Sequence, residues 1–219
     1  MRPGSALVVA VVVSTLLGVV PAGAASQEAG AVDRGDGTGF RFAFGWQDVA
    51  GDMADNLSGA VDAEFSFFVP VWRLRVGAGA NWMSYGMDDY DESWSQIRFH
   101  LLAGYHFLPT ARIRPYVEGR WTWQRLRPED DRFYGGEDEI LREFVASGPG
   151  WEGVAGVEVA LGHRWAVDLS GGVGTYSVSP DISKDDPESL VPADSGIPWR
   201  IHAGIAWYPI RSALTGGGR

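Results

Sequence analysis

The feature that most constrains this sequence is a two-residue alternation of apolar and polar side chains that recurs along the chain. In its first run, FRFAFGWQ at 40–47, aromatic residues fill every even position, while Arg41 and Gln47 lie among the odd ones. Successive side chains of a β-strand point to opposite faces, so this period indicates a strand with one apolar and one polar face. We find no convincing amphipathic helix after the N-terminal segment.

Seven further runs repeat this pattern. They span 57–69, 72–82, 97–107, 113–124, 151–161, 165–174 and 199–207. Their lengths are near the ~9–11 residues that a tilted strand needs to cross a bilayer. The connections are short at 68–71, 108–112 and 162–164, and long at 48–56, 84–95, 126–150 and 178–197. Short periplasmic turns that alternate with long outer loops predict an all-β fold: an eight-stranded antiparallel transmembrane β-barrel with up-and-down meander topology.

Tryptophan placement distinguishes a membrane barrel from a soluble one. A soluble, lipocalin-like barrel is the alternative, and it needs a polar outer face. Nine of the ten tryptophans instead share parity with the apolar face of their run. Eight of them fall near the ends of the runs and predict two aromatic girdles at the membrane interfaces. The girdle residues are Trp46, Trp72, Trp82, Trp123, Trp151, Trp165, Trp199 and Trp207.

The N-terminal residues have the pattern of an export signal. Arg2 precedes an apolar run at 7–20, and small residues follow Pro21. These features predict a signal peptide at 1–25. A membrane anchor is the alternative, but the run is shorter than the ~20 residues that span a bilayer as a helix. We therefore expect a periplasmic N-terminal segment at 26–37, the barrel at 38–210 and a C-terminal tail at 211–219. The absence of cysteine excludes disulfides, thiolate metal sites and a lipid anchor on cysteine.

With these strands the chain resembles the eight-stranded outer-membrane β-barrel family that includes OmpA-like and OmpX-like domains. The resemblance rests on GFRFAFGW, WRLRVGAGANW, VEGRWTWQ, VAGVEVALGHRWAVDLSGGVG and WRIHAGIAWYP. It implies a porin-like protein in the outer membrane of a Gram-negative-type bacterium, in contact with outer-membrane lipid and lipopolysaccharide. We expect this protein to be a monomer. Family members commonly end on an aromatic residue, whereas here Pro209 and a tail follow Tyr208. We find no peptidoglycan-binding domain and expect no cell-wall tethering.

The polar face of the runs points into the barrel. Eight strands enclose an interior just wide enough for side chains. Its charged residues are seven arginines and six acids, and buried charges must be paired. The balance predicts an interior charge network that plugs the barrel; a small-solute pore is the alternative. The predicted members are Arg41, Asp62, Glu64, Arg73, Arg75, Arg98, Arg114, Glu118, Arg120, Glu152, Glu158, Asp168 and Arg200.

Signatures of enzymes and cofactors are missing from the sequence. The four histidines show no metal-binding spacing such as H-E-x-x-H. Some eight-stranded barrels are lipid-modifying enzymes with a Ser–His pair at the outer rim, but the predicted outer loops contain serine and no histidine. We therefore predict no catalytic, cofactor-binding or metal residues and no enzyme activity, with a lipid-modifying enzyme as the less favoured alternative. A net charge of −10 disfavours nucleic acid as a partner.

The predicted outer loops concentrate negative charge. They contain 19 acids and 4 bases. Asp88, Asp89, Asp91 and Glu92 form the densest cluster, and carboxylate oxygens are the ligands that Ca²⁺ and Mg²⁺ prefer. The sequence predicts a structural or surface-interaction role for these loops. It favours charges that are simply solvated, as charge runs usually are, with weak binding of divalent cations as the alternative.

Overall fold

The computed structural model describes eight segments of the chain. They are 38–51, 59–71, 74–87, 90–109, 111–128, 146–162, 164–180 and 194–210. The predictions for 1–37 and for the tail at 211–219 lie outside the described residues, as do Trp72 and Arg73. Within the described segments, no helix is long and apolar enough to cross a membrane.

Eight antiparallel strands follow one another along the chain and around the barrel. They are β1 Thr38–Gly51, β2 Ala60–Val71, β3 Leu74–Met87, β4 Tyr90–His106, β5 Ile113–Pro128, β6 Ala146–Ala160, β7 Trp165–Pro180 and β8 Asp194–Ile210. Each strand pairs with the next, and β8 pairs with β1 to close the barrel. The predicted all-β, eight-stranded antiparallel meander is therefore confirmed.

The alternation of the sequence sets which face of each strand points inward. In β1, Phe44 is 68 % exposed, whereas Arg41 is 1 % exposed. The same division holds where β1 pairs with β2, since Phe42 lies opposite Phe65 and Arg41 opposite Ser66. A shift of one residue in the register of a strand would turn its inward-facing charged side chains toward lipid, so the pattern fixes the register strongly.

The strands extend further at the long-loop end than the sequence predicts. The predicted loop at 84–95 is wrong in most of its length, because β3 continues to Met87, β4 begins at Tyr90 and these two residues pair. The loops predicted at 48–56, 126–150 and 178–197 are shortened in the same way by strand residues. Backbone hydrogen bonds continue beyond the apolar band, where side chains no longer need to alternate, so periodicity alone underestimates these strands.

Candidate functional site: the barrel interior

The ionic layer is the central feature of the interior. Its members are seven buried, inward-facing side chains from five strands: Arg41, Asp62, Glu64, Glu118, Arg120, Glu152 and Arg200. Within this layer, the Arg41 guanidinium donates to both carboxylate oxygens of Glu118, at 3.0 and 2.9 Å. Glu118 Oε2 also accepts from Arg120 Nη2 at 2.8 Å. One carboxylate thus joins two arginines and links β1 to β5 across the interior.

Glu64 of β2 is the second junction of this layer. It accepts from Arg120 Nη1 at 2.8 Å and lies 3.0 Å from Arg200 Nη1. Arg200 in turn contacts Glu152, with its Nε 2.5 Å from Oε1 and its Nη2 donating to Oε2 at 2.9 Å. The chain of contacts therefore passes through β2, β5, β6 and β8. Such bidentate arginine–carboxylate pairs are among the stronger charge-assisted hydrogen bonds.

Asp62 completes the ionic layer toward the outer end. Its Oδ2 lies 2.7 Å from His202 Nε2, and its Oδ1 accepts from Asn81 Nδ2 at 2.9 Å. Arg200 Nη1 is 3.5 Å from Oδ2. All these side chains are buried. Their mutual hydrogen bonds compensate for the loss of water that burial of a charge requires.

A second polar group, the short-turn cluster, lies nearer the ends of the strands joined by the short turns. Glu158 is its centre and is contacted by Arg75 Nη1 at 2.6 Å, Tyr208 Oη at 2.5 Å and Arg114 Nη2 at 3.3 Å. The guanidinium of Arg75 also lies over the ring of Phe68, 4.6 Å from its centroid. Phe68, Leu102, Ala166, Ala206 and Tyr208 form a buried apolar cluster. This end of the interior is therefore filled by rings as well as ion pairs.

A third group, the amide layer, lies toward the outer end. Gln47 donates to the Tyr85 hydroxyl, which donates to Gln96 Oε1 at 2.8 Å. Gln96 then donates to Gln124 Oε1 at 2.6 Å. A buried apolar cluster surrounds these groups; its members are Val49, Ala60, Met83, Tyr85, Leu126, Tyr176 and Val178. The alternation did not predict this layer, because Tyr85 fell in a predicted loop, although its odd-numbered parity matches that of Asn81 on the same strand.

The structure places twelve of the thirteen predicted network residues inside the barrel, none more than 7 % exposed. Ten of them form ion pairs: Arg41, Asp62, Glu64, Arg75, Arg114, Glu118, Arg120, Glu152, Glu158 and Arg200. Arg98 and Asp168 are buried outside those pairs among the described residues. Asp168 accepts a 2.8 Å hydrogen bond from Tyr116. Arg73, the thirteenth, lies outside the described residues.

Seven of the eight predicted girdle tryptophans are described, and these seven lie on the outer surface. Trp46, Trp82, Trp123, Trp151 and Trp165 are exposed, while Trp199 and Trp207 are partly exposed. At the short-turn end, Trp165 stacks on Trp207 with 6.0 Å between ring centroids. Phe40 stacks on the other side of Trp207 at 5.7 Å. These rings form a continuous aromatic surface from β7 to β1.

Only part of the acidic cluster predicted to bind cations lies in the described part of the chain. Asp88 and Asp89 lie outside the described residues, whereas Asp91 and Glu92 belong to β4. Among the residues that the structure describes, no group of three or more His, Asp or Glu side chains could hold a metal ion. Cation binding at the outer loops stays a prediction.

A closed antiparallel barrel with an apolar exterior and a charged interior defines a transmembrane β-barrel of the outer-membrane type. The chain belongs to the outer membrane protein beta-barrel domain family, whose model matches residues 12–188. This family places the protein in the bacterial outer membrane. The predicted membership of the outer-membrane barrels is thus confirmed, while the finer OmpA-like or OmpX-like assignment stays a prediction.

Solved structures of outer-membrane proteins are similar to this chain at low sequence identity. Neisserial surface protein A is 13 % identical, with a TM-score of 0.55, and the match covers 78 % of this chain and 96 % of that one. The outer membrane enzyme PagL is 16 % identical, with a TM-score of 0.43 and coverage of 78 % and 99 %. Outer membrane protein W of E. coli is 16 % identical, with a TM-score of 0.42 and coverage of 80 % and 98 %. No curated protein sequence matches the chain.

Proposed function

We propose that this protein is a non-conducting outer-membrane barrel that serves a structural or surface-interaction role at its outer end. The observation that carries the proposal is the ionic layer, in which Glu64 and Glu118 join arginines from β1, β5 and β8. These side chains fill the section of the barrel that a solute would have to pass. The amide layer toward the outer end and the short-turn cluster toward the opposite end add two further obstructions.

A solute could pass through the barrel only if the paired charges of the ionic layer separated. Removing one partner of a buried ion pair typically costs about 3–5 kcal/mol, because the other charge is left uncompensated. Arg120 contacts Glu64, Glu118 and Glu152, so its displacement breaks three contacts together. The ionic layer therefore favours a plug over the alternative of a small-solute pore.

Planar-bilayer recording of the refolded protein tests this function. We expect no steady channels from the unsubstituted protein. The double substitution Glu64→Ala/Arg120→Ala removes the centre of the ionic layer and is expected to produce small, steady conductance. Val117→Ala, which shortens a lipid-facing side chain of β5, is the control and should stay silent. Stable channels in the unsubstituted protein would overturn the plug and favour the pore.

The absence of enzyme activity is part of the same proposal. The Ser66 hydroxyl lies 3.1 Å from His100 Nε2, but both residues are buried within the barrel, and Ser66 also donates to Glu64 Oε1 at 2.7 Å. A lipid ester in the membrane has no route to this hydroxyl through the ionic layer. Mass spectrometry of lipopolysaccharide from cells with and without the protein should therefore give identical lipid A masses. A mass change that depends on expression would favour the lipid-modifying alternative.

A further inference from the structure

Each short turn of the barrel carries an arginine directly before the strand that follows it. Arg73 precedes β3, Arg112 precedes β5 and Arg164 precedes β7, and none of the three turns contains an acidic residue. Short turns of outer-membrane barrels lie on the periplasmic side. The sequence thus places positive charge two strands apart around the periplasmic rim, while the acids of the chain concentrate at the other end.

The two described arginines are held at the rim by their backbones. The Arg112 carbonyl accepts from the Ala160 amide at 2.8 Å, and the Arg164 carbonyl accepts from the Tyr208 amide at 2.8 Å. Each turn is therefore fixed to the neighbouring strand while both side chains stay exposed. Two strand spacings separate the turns, or roughly 10 Å along the rim.

These arginines lack acidic partners among the described residues. Glu158 and Asp168 are the acids nearest this end, and both are fully buried inside the barrel. No described ion pair includes Arg112 or Arg164. Two guanidinium groups at the rim are therefore free to bind an anion from outside the barrel.

Exposed apolar side chains flank both arginines. Phe107 and Leu108 lie in the turn of Arg112, and Leu161 and Trp165 lie beside Arg164. Apolar and aromatic residues next to an arginine are typical of a membrane interface, where the ring enters the acyl region and the guanidinium reaches the headgroups. The planar guanidinium also matches a phosphate with two parallel hydrogen bonds.

We propose that Arg112 and Arg164, the arginine rim, bind the phosphates of anionic phospholipids in the periplasmic leaflet of the outer membrane. The occupant is a phospholipid because the flanking Phe107, Leu161 and Trp165 give its acyl chains an apolar surface directly beside the charge. This site is independent of whether the interior conducts.

Native mass spectrometry of the refolded full chain in detergent tests the site, with phosphatidylglycerol or phosphatidylcholine added as the probe. We expect tighter binding of phosphatidylglycerol, and affinity roughly fivefold weaker for each arginine removed in Arg112→Gln/Arg164→Gln, from the attraction of one cationic side chain to an anionic lipid surface. The charge-preserving pair Arg112→Lys/Arg164→Lys should keep most of the affinity. Arg125→Gln removes an exposed arginine near the opposite end of β5 and should change nothing.

Three results would overturn the arginine rim. They are equal binding of the two lipids, unchanged phosphatidylglycerol affinity in the double glutamine variant, and an equal loss in Arg125→Gln, which would indicate attraction to any exposed guanidinium. Folding of each variant is checked by its heat-dependent mobility on a gel. If the double variant does not fold, the single variants Arg112→Gln and Arg164→Gln are measured against Arg125→Gln instead, with the same criteria.

Discussion

Among individual residues, Glu118 is a junction of two arginines, because it accepts hydrogen bonds from both Arg41 and Arg120. Both arginines also contact Glu64, at 3.2 and 2.8 Å. Loss of Glu118 therefore leaves Glu64 as the carboxylate in described ion pairs with Arg41, whereas Arg120 keeps both Glu64 and Glu152. The layer would then hold three arginines and three acids, but Arg41 would have lost the carboxylate that it contacts through two hydrogen bonds.

We expect Glu118→Ala to lower the free energy of unfolding by about 3–5 kcal/mol, the usual effect of removing one partner of a buried ion pair. Val117→Ala, its lipid-facing neighbour on β5, is the control. The double variant Arg41→Ala/Glu118→Ala should lose less than the sum of the two single variants, because it removes both charges of one pair. Denaturant unfolding of the refolded barrel in lipid vesicles measures all four. Equal destabilisation by Glu118→Ala and Val117→Ala would contradict the role of the pair.

At the scale of the strand, the sequence predicts much of the structure because a lipid-facing strand must alternate. The two-residue period alone predicts that Phe42 and Phe44 point outward and that Arg41 points inward, as the structure has them. The same period predicts the orientation of all eight strands. Periodicity does not locate strand ends beyond the apolar band. It therefore missed the pairing of Met87 with Tyr90 and the amide layer that includes Tyr85.

Which interior charges meet could not be predicted from the strands either. The parity of β1 and β5 places Arg41 and Glu118 inside, but their contact crosses the barrel between strands that are not neighbours. Such a contact depends on strand tilt and stagger, which no single strand encodes. A balanced count of charges likewise did not reveal that Arg98 and Asp168 would lie outside the ion pairs.

For the whole molecule, closure of the sheet leads to a direct prediction on a gel. Each strand is hydrogen-bonded on both sides, and a closed barrel satisfies its backbone groups internally. We expect the membrane-extracted protein to migrate differently in SDS with and without boiling. N-terminal sequencing of the same band should begin near residue 26, as we propose that residues 1–25 are removed during export. A band without a heat-dependent shift, recovered from the soluble periplasm, would contradict the membrane barrel.

The pairing of β1 with β8 also imposes an order of events on the newly made chain. Thr38 pairs with Ile210, so one edge of β1 has no partner strand until β8 has been synthesised. During that interval the edge offers unpaired amides and carbonyls, flanked by phenylalanines, to any other extended segment. Closing a contact between residues so distant in sequence is slow. The free edge of β1 therefore has to be shielded from other segments until β8 can pair with it.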